Sequence, residues 1–318
     1  MPALAPVRIP ASATFRTEYP DLFWRRITRA GRNECDGNVV PCERSRHAIR
    51  EALHYTALRG CRIIRFAASG SAAVDWSLWR HDETRARYWS AFDTVNHDAT
   101  SVNISLIPSI FWNWCALPTL LGEPLRAMVV DEGSRSRHLA RQYVHELVSR
   151  YVGSPAVRQW ELGNELNLLA DTEQDDSGDA PRHVPSLLLS EACAQASGGV
   201  SSAEMVAFQR HLAGWIREVD PTRKIQTGHA VPRPNAEHLR LARSSSEQSR
   251  GSGRDTREQF AQNVYSTCAG CDLCSMHIYA DGFERRRWAE EVSPEELIRT
   301  AHMALRHNGT LPQSARTF

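Results

Sequence analysis

The 318-residue chain has almost no net charge, no long apolar run, no recognisable leader and no repeated cysteine knuckle. Thirty-eight basic residues face 37 acidic ones for a net charge of +1, so no electrostatic grip on nucleic acid or on an anionic membrane surface is expected. No apolar stretch approaches the ~20 residues that a bilayer-spanning helix needs. The opening Met1–Pro10 segment lacks a basic region followed by an apolar one, the pattern of a secretory signal. As written, a cytoplasmic location is expected, with secretion the expectation if the N-terminus is incomplete. Eight cysteines are too few for a disulfide-built scaffold. Cys268-Ala-Gly-Cys271-Asp-Leu-Cys274 has the spacing of a metal knuckle, but no second Cys-x-x-Cys supplies the remaining ligands. Neither a metal nor another cofactor is therefore expected, and a metalloprotein built on these three cysteines is the minor alternative. Acidic residues also stop early, with none after Glu296.

What is present has the balance of a globular protein, 42% hydrophobic and 24% charged. Residues 1–318 are read as one domain, because α/β barrels of this length form single units. Helical periodicity runs through 44–59, 80–100, 134–151 and 201–219, with a capping box at Ser201-Ser202-Ala203-Glu204. A Ser-Pro-Glu-Glu start opens another helix at 293–306. Between these lie apolar strands, the clearest being Cys61–Ala67, which follows Gly60 directly. A further strand is expected from Val102 through Leu106, weakening at Pro108. Helix, turn and strand repeated in this way predict an α/β fold with a parallel sheet. Long polar segments at 171–200 and 243–254 read as loops.

One stretch concentrates chemistry. Gln159-Trp160-Glu161-Leu162-Gly163-Asn164-Glu165-Leu166-Asn167 begins as a buried strand and ends in amides and carboxylates. A buried strand does not carry Asn164 and Glu165 unless its end opens into a site, because an unpaired buried carboxylate is costly.

Trp-Glu-Leu-Gly-Asn-Glu resembles the signature that ends the fourth strand of retaining glycosidases of the (β/α)8-barrel clan, the cellulases and mannanases of glycoside hydrolase family 5. The resemblance implies a (β/α)8 TIM barrel acting on a β-linked oligo- or polysaccharide. It makes Glu165 the general acid/base and Asn164 a ligand of the sugar 2-hydroxyl. It also reads Arg65 as the strand-end arginine that keeps the nucleophile carboxylate ionised, and His277 and Tyr279 as the His-x-Tyr that lines the subsite of the sugar to be cleaved. Asp220-Pro221-Thr222-Arg223 matches the family's turn into the fifth strand, and is equally a good helix stop. Trp112 and Trp114, just beyond a strand, offer either flat faces for a pyranose or packing beneath a loop.

The resemblance covers residues 45–306, about six of eight strands, with the first strand placed only loosely in residues 11–40. It lacks the family's seventh strand and its nucleophile. Retaining hydrolysis needs two carboxyls about 5–5.5 Å apart, and Glu161, four residues back on the same strand, lies about 13 Å from Glu165. The chain is accordingly expected to be an incomplete, C-terminally truncated barrel, weakly active or inactive alone. The alternative function is a catalytically dead carbohydrate-binding protein.

Overall fold

The computed structural model describes residues 43–69, 73–172, 199–244, 253–278, 287–289 and 291–307. Helix α1 (Glu43–Leu58) buries Ile49 and Leu53 and feeds strand β1 (Ile63–Ala67). Helices α2 (Ala73–Arg80) and α3 (Asp82–Ser101) return the chain to β2 (Ser105–Phe111). Two short helices, α4 (Ala116–Leu120) and α5 (Leu125–Val130), then lead to α6 (Arg135–Tyr151) and β3 (Gln159–Gly163). A 3-10 turn (Leu166–Leu169) follows β3, and α7 (Ser202–Val219) precedes β4 (Lys224–Gln226). The remaining elements are β5 (His229–Ala230), α8 (Ala236–Ser244), α9 (Arg257–Thr267), β6 (Met276–His277) and α10 (Pro294–His307).

β1 to β4 form one sheet in chain order, every pair parallel. The register aligns Ala67 with Ser109, Ser109 with Glu161, and Glu161 with Gln226. β5 pairs in parallel with β6, and a bridge from Gln226 to Leu273 joins the two sheets. β4 and β5 are thus one stave interrupted at Thr227 and Gly228, and the described residues supply five staves of a barrel wall. The first expected strand, in residues 11–40, lies outside the described residues.

Local chemistry explains the elements. Ser134 caps α6 by accepting from the Arg137 N–H, and Ser201 with Glu204 forms the expected capping box on α7. Behind the sheet, Trp76, Trp79, Trp89, Phe111 and Tyr143 pack edge-on, tilted or stacked with centroids 4.6–6.5 Å apart. Two expectations are corrected. The strand expected from Val102 starts at Ser105, because α3 continues to Ser101 and Asn103 reverses the chain at φ 55°. Pro108 does not weaken the strand but pairs in register with Phe66. The four short helices at 116–130, 236–244 and 257–267 were too brief or too weakly amphipathic to show a period.

Candidate active site

β3 is held by the turn that sequence alone reads as a helix stop. Asp220, fully buried at the end of α7, accepts from the Trp160 indole N–H at 2.9 Å and from Arg223 Nη1 at 2.7 Å. Burial pushes the Asp220 carboxyl up, but these donors more than offset it and hold it well below the usual range. Arg223 in turn donates to the carbonyls of Val152, Ser154 and Val157, tying this turn to the chain that enters β3.

The end of β3 is crowded. A Cβ at Gly163 would sit 2.3 Å from the Trp114 ring and 2.4 Å from the Phe111 carbonyl, so only glycine fits. Trp114 donates its indole N–H to the Asn164 carbonyl at 2.8 Å, while the Asn164 N–H reaches the Phe111 carbonyl at 2.9 Å. Glu165 follows in the left-handed region at φ 56°, ψ 34°, where a branched-out L side chain is strained. Its N–H donates to the Gly228 carbonyl at 2.7 Å. That approach needs the break between β4 and β5: a Cβ on Gly228 (φ 77°) would lie 1.9 Å from the Gly163 carbonyl.

Two carboxylates of this stretch stand in different surroundings. Glu161 is fully buried, and Arg65 donates to it through Nε at 2.8 and 2.9 Å, with Nη2 2.6 Å from Oε1. Gln226 donates to its other oxygen at 2.5 Å and is itself bonded by Gln159. Burial acts to raise the Glu161 carboxyl, but the Arg65 charge and hydrogen bonds outweigh it and the group stays ionised. Arg65 also donates from Nη2 to Asn164 Oδ1 at 2.8 Å and lies over the Trp112 ring, 4.8 Å from its centroid. Glu165 instead meets His277, with Nδ1 2.9 Å from Oε1. The other imidazole nitrogen, Nε2, is buried with no partner among the described residues. Trp112, Asn113, Asn164, Glu165, Leu168 and Leu169 line a cleft there, with Trp114 at its base.

The structure therefore brings together Arg65, from the middle of β1, with Trp112, Asn164, Glu165 and His277 at or just beyond the ends of β2, β3 and β6. Tyr279 lies outside the described residues. Trp114 does not offer a stacking face: at 3% exposure it is packed under Gly163 and against Phe111 and Phe208. Arg65 is already engaged with Glu161, where the resemblance implied a nucleophile carboxylate. Reading the sequence also passed over Gln226, Gly228 and His229. His229 is buried against Gln209, at 2.5 Å between their Nε2 atoms. Burial, with the neighbouring His277 charge, pulls its imidazole down to about 3. The available signal was Glu161 itself, since a carboxylate inside a buried strand requires a partner on a neighbouring one.

Cys268 and Cys274, two of the three candidate knuckle thiols, are joined as a disulfide, leaving Cys271 free, and Cys115 is disulfide-bonded too. Among the described residues no group of three or more His, Cys, Asp or Glu side chains is placed to hold a metal, and no helix is long and apolar enough to cross a membrane. Chemically, the cleft presents one carboxyl within reach of an imidazole, an amide and a cation-backed aromatic ring. That set can donate or accept one proton.

No family model matches the chain, and no curated protein is similar to it in sequence. Solved structures are similar. The endo-1,4-β-mannanase of Rhizomucor miehei superposes with TM-score 0.51 at 15% identity, covering 84% of this chain and 71% of that one. The hyperthermostable endo-1,4-β-D-mannanase of Thermotoga petrophila RKU-1 gives 0.50 at 17% identity, covering 84% and 76%. A second Thermotoga petrophila endo-β-1,4-mannanase structure gives 0.50 at 17%, covering 84% of this chain and 56% of that one. This likeness establishes the fold: the parallel sheet and its helices are part of a (β/α)8 barrel.

Proposed function

We propose that the chain is a glycoside hydrolase that holds a β-linked, mannan-type glycan at the mouth of this barrel and uses Glu165 as the acid/base of a retaining mechanism. The observation that carries the reading is that Glu165, Asn164 and Trp112 line one cleft, with His277 bonded to Glu165 and Arg65 engaged with Asn164 and Trp112. In this reading Glu165 protonates the departing glycosidic oxygen, a carboxylate that the described residues do not supply takes up the glycosyl group, and Glu165 then takes a proton from the water that displaces it. His277 orients its carboxyl through Oε1, Asn164 bonds a sugar hydroxyl, and Trp112 stacks on a pyranose. The fold of the similar mannanase structures supports the choice of glycan.

One observation favours a second reading, binding without turnover. Retaining hydrolysis needs a second carboxyl about 5–5.5 Å from the first. Among the described residues lining the cleft, Glu165 is the only carboxylate, and Glu161 is locked by Arg65. The two readings part in one experiment. The purified chain is incubated with β-1,4-mannohexaose and products are followed by chromatography. Product that disappears in Glu165→Gln, by about 10²–10⁴-fold, supports hydrolysis, whereas saturable binding with no product supports the second reading. Neither binding nor product removes both. The disulfides further support an oxidising compartment, and with it export over the cytoplasmic expectation.

A further inference from the structure

We infer that Glu161 is a positioning residue for sugar binding: from inside β3 it fixes Arg65, and through Arg65 it sets the orientation of the Asn164 amide and the Trp112 ring. The inference rests on the sugar-binding reading above and names a residue which that reading does not use.

The geometry carries it. Arg65 and Glu161 stand on β1 and β3, with β2 between them, and meet across it above Ser109, whose hydroxyl is 3.5 Å from Arg65 Nη2. Glu161 takes Arg65 from one side at 2.6–2.9 Å. Gln226 braces the carboxylate from behind at 2.5 Å, with Gln159 bracing Gln226. A Cβ on Gly228 would meet Glu161 Cδ at 2.7 Å, so the carboxylate has no room to turn on that side. Arg65 is thereby held with Nη2 on Asn164 Oδ1 at 2.8 Å and its plane over Trp112. Because Oδ1 is occupied as an acceptor, Asn164 is left to offer its amide N–H groups to a ligand hydroxyl. Arg65 needs no carboxylate from a ligand or from elsewhere at the cleft to reach this state, since its counter-ion is built into the strand.

Stability alone does not account for such a pair. Buried ion pairs are commonly no more stable than apolar replacements of the same volume, and their best attested use is to fix one arrangement. Here the arrangement fixed is that of two residues lining the cleft.

The test titrates the purified full chain with β-1,4-mannohexaose by calorimetry, with a melting curve run on each variant. Glu161→Gln keeps the volume and loses the charge. Glu161→Asp keeps the charge and withdraws it by one methylene. If Glu161 positions Arg65, the Gln variant loses about tenfold or more in affinity while the Asp variant loses less. A residue that merely fills space gives the opposite order. Wild-type affinity in a folded Gln variant, or a greater loss in Asp than in Gln, overturns the inference while leaving the sugar reading intact. Should the Gln variant not fold, the Asp variant decides: several-fold weaker binding is expected, and unchanged affinity overturns it. A wild-type chain that binds no mannohexaose overturns both the reading and the inference.

Discussion

The stretch from β1 to β4 and the stretch from β5 to α10 are built to different standards. The first carries four strands in continuous register over a core of Trp76, Trp79, Trp160, Tyr143 and Phe208, each almost fully buried. The second has only two-residue strands, a small cluster around Val264, Val292 and Leu297, and a disulfide from α9 to the chain entering β6. The contact of Glu165 with His277 lies on the seam between them. Glu165 comes from the first region and His277 from the second, and the Glu165 N–H to Gly228 carbonyl bond spans the break in the stave that separates them. A rigid sheet places the acid and a lighter, cross-linked segment brings its imidazole, so the two regions should respond differently to perturbation.

The largest effect is expected at the seam itself. Gly228→Val drives a Cβ toward the Gly163 carbonyl at a backbone angle valine rejects, and should cost about 3–5 kcal/mol, read as the shift in denaturant midpoint. A midpoint within about 0.5 kcal/mol of wild type would mean that the two regions are not pressed together there. Next, removing the disulfide with Cys268→Ser and Cys274→Ser closes no loop in the unfolded chain and should cost about 2 kcal/mol. Amide exchange should show the loss concentrated in α9, β6 and α10, and uniform loss would contradict the two-region picture.

A third effect depends on pH. His229 is buried neutral, with its folded value pulled from 6.5 to about 3. The unfolded chain therefore binds the extra proton between those values. Stability from this group is complete above pH 6.5 and is lost as pH falls toward 3, by at most about 1.4 kcal/mol per pH unit. Glu204, held at about 2 by Arg126 and Ser201 against the upward push of burial, is lost only below its ordinary value of 4.5. A slope between pH 6.5 and 5 that persists unchanged in His229→Gln would assign it elsewhere. The smallest effect belongs far from the seam: Ser201→Ala removes one cap of α7 and should cost about 1 kcal/mol without altering the cleft.

The same contrast explains how much was legible in the sequence. Helices α1, α3, α6 and α7 and strands β1 and β3 were readable because each is long enough, or apolar enough, for its period to dominate. Ser134, Ser201 and Glu204 marked their starts by side chains that satisfy free N–H groups. β5 and β6 could not be bounded, because two residues carry no period and their pairing depends on the break at Gly228. Within the site, Glu165 meets His277, and Arg65 meets Asn164 and lies over Trp112. The partner of Arg65 was not legible. It is set by a register that aligns Ser109 with Glu161 and Ala67 with Ser109, and no local pattern encodes that alignment. Trp114 was ambiguous for a similar reason, since only the close approach of Gly163 shows that its ring lies beneath the cleft.

The most direct measurement is a calorimetric titration of the purified chain with β-1,4-mannohexaose, beside the same titration of Asn164→Ala. Saturable binding at one site per chain is expected, weakened about tenfold or more when the Arg65-oriented amide is removed. A wild-type titration with no saturable heat, or an Asn164→Ala affinity equal to wild type, would contradict it.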